Sequence, residues 1–465
     1  MRSPQTSNLK PQTSNLESQN LKPPLGARTI AKESITLAPA IERAILVGAP
    51  SKRAGARKAG EEHLRELEEL ADTAGAIVVG EMSQQLERPH AGTYLGSGKI
   101  DELRDLVAGT GATLVIFDDE LSPSQGKNIE DTVGTRVVDR AELILDIFAT
   151  RARTAEAKMQ VELAQLEYML PRLTRMWTHL EKYRGGIGMR GPGETQLETD
   201  RRLINHRIKL LRERLRDVQK GRVVQRQARQ REFRASLVGY TNAGKSSILA
   251  GLTGSKDVFI EDRLFATLDP LTREVEAGEA KVLVTDTVGF IRKLPHHLVA
   301  SFRATLEETA EADLLLHVID ASHPTWEEQR IVVEQVLDEL GVGDRPRLLV
   351  FNKVDLLEEE ELLALQERIG RLVGQAVFVS ALSEHGLDPL RRSLGAAVRA
   401  RRPLAEIRLS AGEGKLLAEI HRLGEVIDQR TDGDRLVIRA RVDEALVGRL
   451  RRAGAEVAPR NGTPV

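Results

Sequence analysis

From about residue 40 onward, short apolar runs alternate with longer stretches in which apolar residues recur every three or four positions. Ala44–Val47, Ala76–Val79, Thr113–Phe117 and Arg136–Val138 show no in–out alternation, which is the pattern of strands buried on both faces. Lys58–Ala74 and Ile100–Ala108, lying between them, carry helical spacing. Strand–helix alternation of this kind predicts a small parallel α/β domain over 37–150. A second alternating region, 234–403, predicts another α/β domain. Between the two the period changes. Met159, Leu163, Leu166, Leu170 and Leu173 are spaced 4, 3, 4 and 3, and Leu197, Ile204, Ile208, Leu211, Leu215 and Val218 continue the same seam. Heptads on either side of a glycine-rich run, Gly185–Gly193, predict an antiparallel helical hairpin over 151–233, and Pro171 should kink or shorten its first arm. The last segment, 404–465, reads helix (Lys415–Gln429), strand (Arg435–Ala440), helix (Glu444–Ala453) and strand (Glu456–Ala458). The chain is thus expected to be an α/β multidomain protein.

Residues 1–36 look different. The string PQTSNL occurs at Pro4–Leu9 and again at Pro11–Leu16, and too little apolar surface accompanies it to offset the entropy of ordering. A disordered tail is expected there, without the features of a signal or transit peptide. Hydrophobic residues make up 41% of the chain and charged residues 29%, which suits a globular protein, and no apolar run approaches the roughly 20 residues of a membrane-spanning helix. Cysteine is absent, which excludes thiolate metal sites and a cysteine nucleophile and fits a cytoplasmic location.

The net charge of −1 hides a local imbalance. Residues 151–235 hold 21 Lys/Arg and 10 Asp/Glu, a surplus of +11 in a chain that is otherwise acidic. A solvated helix face is one explanation, but the single sign and the basic tip favour contact with a polyanion. Arg184, Arg190, Gly191 and Gly193 are the candidate RNA contacts. With few aromatics nearby, those contacts would be to phosphate and shape.

The candidate chemistry lies in 234–403. Ser236–Ser246 is a buried strand followed by G-x-x-x-x-G-K-S, so backbone N–H groups from Gly239, Tyr240, Thr241, Asn242, Ala243, Gly244, Lys245, Ser246 and Ser247 can turn toward phosphates. Lys245 adds a point charge toward the outer phosphates, and Ser246 can ligate Mg2+. A second strand, Lys281–Asp286, delivers Asp286 to its carboxyl end, suited to the magnesium shell through water, and Gly289 can bring its N–H to a terminal phosphate. A third, Leu348–Asn352, precedes Lys353 and Asp355. The Asp355 carboxylate can accept two hydrogen bonds from guanine, donors that adenine lacks. A fourth strand runs into Ser380, Ala381 and Leu382, a small turn fit for a base edge.

In this order the four motifs resemble the translation-factor-related P-loop GTPases. That resemblance implies GTP/GDP and Mg2+ as ligands and adds a threonine from a mobile loop as second magnesium ligand. Thr267 is the better placed, and Thr272 is the alternative. Lys245, Thr267 and Gly289 are then the catalytic candidates. Many small GTPases place a water-orienting glutamine after the glycine, but here it is Phe290, so either a partner completes the site or another polar group does. In related P-loops an asparagine at the place of Asn242 accompanies a monovalent cation such as K+.

The other half of the chain carries a second resemblance. Thr93–Glu102, Glu120–Gln125, Asp139–Phe148, Gln160–Leu166 and above all Gly191–Glu198 (GPGETQLE) together are similar to the HflX family of ribosome-associated GTPases over about 40–400. The family implies a cytoplasmic GTPase, expected to be a monomer, that binds the large ribosomal subunit in its GTP state. It reaches the rRNA with the hairpin tip and acts in ribosome splitting or rescue under stress, hydrolysis being stimulated by the ribosome. Two alternatives remain at this point. One is an RNA-remodelling ATP/GTPase using Gly96–Lys99, a glycine–lysine loop that lacks the full spacing and a following Ser/Thr. The other is a regulatory adaptor of a membrane protease, which would need an apolar docking surface that the sequence does not offer.

Overall fold

The computed structural model describes residues 41–50, 56–173, 192–227, 232–254, 263–278, 280–294, 309–372, 376–401 and 403–459. The repeat tail and most of the glycine-rich tip, including Arg184, Arg190 and Gly191, lie outside the described residues.

The first domain holds strands β1 (Arg43–Gly48), β2 (Ile77–Ser83), β3 (Leu114–Phe117) and β4 (Arg136–Asp139), in the order β2-β1-β3-β4 with every pairing parallel. Helices α1 (Ala56–Ala74), α2 (Ser97–Thr110), α3 (Pro123–Val133) and α4 (Arg140–Arg151) connect and follow them. Ile45, Val47, Val115 and Phe117 face one helical layer, and Ala44, Leu46, Leu114 and Ile116 face the other, which is why these strands read as unbroken apolar runs.

The hairpin pairs α5 (Ala155–Met169) with α6 (Pro192–Gln227). Leu163, Ile208 and Leu211 form the seam, flanked by Arg207–Glu162 (2.6 Å) and Arg212–Glu167 (2.7 Å) ion pairs. At Pro171 the first arm ends in a single 3-10 turn, Leu170–Arg172. The second arm starts earlier than a glycine-rich run suggests. Pro192 and Gly193 already belong to its first turn, where proline's missing N–H costs nothing.

The next domain has a six-stranded sheet, order β10-β9-β8-β5-β7-β6, built from β5 (Phe233–Gly239), β6 (Leu271–Ala277), β7 (Ala280–Asp286), β8 (Leu314–Asp320), β9 (Arg347–Asn352) and β10 (Ala376–Phe378). All pairings are parallel except β6 with β7. Among the described residues it also holds helices α7 (Lys245–Thr253), α8 (Trp326–Glu339), α9 (Glu359–Leu372) and α10 (Asp388–Arg401).

The last segment departs from its expected order. Strand β11 (Leu404–Ser410) opens it, α11 (Gly414–Leu423) is short, and 425–432 is strand β12 (Glu425–Asp432) rather than the end of a helix. Gly424 stops α11, and Asp432-Gly433 turns β12 back onto β13 (Arg435–Arg441). With α12 (Glu444–Arg452) and β14 (Glu456–Pro459) these form an antiparallel sheet of order β12-β13-β11-β14.

Candidate active site

The loops after β5, β7, β9 and β10 gather at the carboxyl edge of the six-stranded sheet, where open α/β sheets hold ligands. Gly244, at the start of α7, has φ +90°, and a Cβ there would stand 2.2 Å from Asn352 Nδ2. The space it leaves is used: Asn352 Nδ2 donates to the Ala243 carbonyl (3.0 Å), and its Oδ1 accepts from Ala381 N–H (3.2 Å). One buried side chain thus ties the phosphate loop to the turn carrying Ser380, Ala381 and Leu382. Gly289 also makes a close approach, since a Cβ on it would be 2.7 Å from Thr241 Cα.

Ser246 Oγ donates to Asp286 Oδ2 (2.7 Å) and lies 2.8 Å from Thr267 Oγ1. Three oxygen-bearing side chains, from the start of α7, the end of β7 and the loop before β6, therefore converge. Asp286 is 1% exposed, its Oδ1 meets no donor, and burial raises its pKa. A buried carboxylate oxygen left without a partner fits a cation. Hard oxygen donors of this kind suit magnesium. Thr272 stands elsewhere, on β6, with its Oγ1 2.9 Å from Thr285 Oγ1. Lys245 is buried and, among the described residues, donates to the backbone carbonyls of Tyr240 (2.7 Å) and Gly239 (3.2 Å). Desolvation lowers its pKa to about 8, against the pull of Asp286. Lys353 pairs with Asp320 (2.7 Å), and Asp355 is exposed at the start of the loop after β9.

Backbone strain collects here. Among the described residues six non-glycines have positive φ, and four of them, Asn242 (+58°), Phe265 (+55°), Lys293 (+52°) and Lys353 (+62°), border this cleft or the loops that frame it. Such conformations cost about 1 kcal/mol or more each and persist where surroundings over-determine them. Phe265 is held by Thr241 Oγ1, which accepts from its N–H (3.1 Å), and by an edge-on contact with Phe148 at 4.7 Å.

Sequence reasoning missed what the loops carrying Thr267 and Gly289 are fastened to. Phe290 is 2% exposed. Its N–H donates to the Gly239 carbonyl (3.0 Å), and its own carbonyl accepts from Thr241 N–H (2.7 Å), so the phenyl ring packs into the core shared with the first domain. Tyr240 donates its hydroxyl to Glu66 of α1 and accepts from Arg292 N–H (2.9 Å). Arg140, fully buried, joins Glu66, Asp118 (2.8 Å) and the Arg292 carbonyl (3.2 Å). Lys293 reaches Asp118 and Asp119, each at 2.6 Å. Burial raises the Asp118 pKa, but the His63 contact and the Arg140 and Lys293 charges outweigh it and hold the carboxyl down to about 2. On the other loop, Asp269 caps the start of α5, accepting from Arg153 N–H (3.0 Å), Thr154 N–H (3.2 Å) and the Thr154 hydroxyl. No local pattern announces pairs separated by more than 100 residues.

Three family models and several known proteins match the chain. Residues 61–149 match a family model described as GTP-binding GTPase N-terminal, 151–229 one described as GTP-binding GTPase middle region, and 234–353 one described as 50S ribosome-binding GTPase. A GTPase HflX of Flavobacterium psychrophilum is 44% identical over 390 residues, covering 80% of this chain and 92% of that protein. A GTPase HflX of Escherichia coli K12 is 45% identical over 368 residues, covering 78% and 85%. Among solved structures, a GTP-binding protein of Sulfolobus solfataricus in complex with GDP aligns at 24% identity and a TM-score of 0.42, over 77% of this chain and all of that one.

Proposed function

The chain belongs to the HflX family of GTPases, and from that premise we propose that it is a guanine-nucleotide switch acting on the large ribosomal subunit, in splitting or rescue of ribosomes under stress. The observation that carries this reading is the double fastening of the switch loops: Asp269 and Phe265 to the hairpin arm and the helix before it, Phe290 to Lys293 to the first domain. A γ-phosphate that orders Thr267 and Gly289 thereby pulls on both neighbouring domains at once. The basic hairpin is the part such a pull would present to rRNA, its tip contacts being Arg184, Arg190, Gly191 and Gly193.

GTP and GDP would lie along the loop from Gly239 to Ser247, with Lys245 on the outer phosphates and Asn352, Asp355 and Ser380–Leu382 at the base. Ser246, Thr267 and, through water, Asp286 would hold magnesium, which neutralises phosphate charge when bound. Asn242 lines the same cleft and is the residue that would accompany K+. Phe290 can neither orient water nor carry charge, so intrinsic hydrolysis should be slow and ribosome contact should raise it. Among the described residues no helix is long and apolar enough to cross a membrane; the reading takes the protein to be a monomer working in the cytoplasm.

Sedimentation with separated ribosomal subunits tests the reading. Co-sedimentation with the large subunit is expected with a non-hydrolysable GTP analogue and not with GDP, together with faster GTP turnover in its presence. Equal binding in both nucleotide states, or none, would overturn it.

A further inference from the structure

We propose that Arg263 is a further catalytic residue, its guanidinium supplying positive charge to the phosphates from this chain's own loop as the γ-phosphoryl group leaves. The inference rests on the GTPase activity and on the nucleotide lying in the cleft described above. In hydrolysis the water oxygen forms a bond to the γ-phosphorus and the bond to the β–γ bridging oxygen breaks. The electron pair stays on GDP, and the water proton ends on the released phosphate. Negative charge grows on the bridging oxygen, and cations fixed beside it lower the barrier.

The cations near the cleft are mostly committed. Arg292 lies between Glu66 (3.6 Å) and Glu328 (3.8 Å), Lys293 between Asp118 and Asp119, and Lys353 on Asp320. Arg273 is on β6 and donates to the Thr272 carbonyl (3.1 Å). Arg263 differs from all of them. It lines the cleft beside Asn242, Lys245 and Ser246, it is exposed, and among the described residues nothing pairs with it.

Its anchorage suits delivery. The next two residues, Leu264 and Phe265, are each 2% exposed, and Thr267, four positions on, meets Ser246. The backbone that carries Arg263 is therefore pinned at the mouth of the cleft, and only the side chain must settle on the ligand. A guanidinium is always charged and presents a planar fork that matches phosphate oxygens. Some GTPases carry their charge-stabilising arginine in cis, and Arg263 is placed to do so here. Water orientation is a separate task, left to the ribosome.

The test compares Arg263→Ala and Arg263→Lys with the wild-type full chain in single-turnover GTP hydrolysis without ribosomes, alongside GDP affinity and retention of GDP with aluminium fluoride. Arg263→Ala is expected to slow hydrolysis about 1,000-fold or more, to leave GDP affinity and melting temperature unchanged, and to lose the aluminium fluoride complex. Lysine should recover only part of the rate, and free guanidinium ion should partly rescue the alanine variant. A rate within about threefold of wild type, or a loss explained wholly by weaker nucleotide binding, would overturn the proposal. Large subunits added to wild type decide the ribosome reading separately, because stimulation there does not depend on the Arg263 result.

Discussion

Two glycine–lysine turns in this molecule each join a strand to a helix at the edge of a parallel sheet, and they are built to opposite ends. In the first domain Gly96 N–H donates to Gln84 Oε1 (3.1 Å), and Lys99 pairs with Glu102 at 2.6 Å. The Gly96 and Lys99 N–H groups and the Lys99 ammonium are thus answered from within. In the six-stranded domain, among the described residues, Lys245 has only backbone carbonyls, Asp286 keeps a buried oxygen without a donor, and the Gly244 and Gly289 approaches leave room in front of both. A ligand site is recognised by what a fold leaves unsatisfied at a cost, more than by the glycines that make the turn.

Lysine replacement breaks that comparison most sharply. Lys245→Ala should slow single-turnover GTP hydrolysis by at least about 10³-fold, whereas Lys99→Ala should leave the rate unchanged. Equal losses in both would make the first domain a second phosphate site.

The interface between the two domains gives the next largest effect. Arg140→Met leaves the Glu66 and Asp118 carboxylates buried without their shared cation. Removal of one partner from a buried cluster costs about 3–5 kcal/mol, read as a lower midpoint in denaturant unfolding. A variant as stable as wild type would mean that the cluster is not holding the domains together. Asp355→Asn sharpens the other side. Asp355 is exposed and makes no ion pair among the described residues, so its removal should leave the fold intact while shifting preference from GTP toward XTP by about a hundredfold, measured by competition binding. Unchanged GTP selectivity would remove the base-reading role.

Much of the fold is legible because buried parallel strands write themselves as unbroken apolar runs and heptads as a 4, 3 spacing. Both patterns are local. The strand after α11 was hidden for the converse reason: Glu425–Asp432 is almost wholly exposed on a sheet edge, so its apolar residues prolong the helical spacing of the stretch before it, and only Gly424 marks the break. In the site, the glycine–lysine–serine loop and Asp286 stand out because strand-then-turn spacing forces them. Thr267 needed a family pattern to be preferred over Thr272, since nothing in the local sequence says which threonine returns to Ser246. The fastening of Tyr240 to Glu66 and of Asp269 to the α5 cap is invisible in sequence, because the hydrogen-bonded residues lie 174 and about 115 positions apart.

Titration calorimetry of the full chain with GTP and magnesium tests most directly whether one cleft gathers Lys245, Asp286 and Asp355 around a single nucleotide. One GTP per chain is expected, with heat abolished in Lys245→Ala and preserved in Lys99→Ala. Two nucleotides per chain, or binding that survives the loss of Lys245, would contradict it.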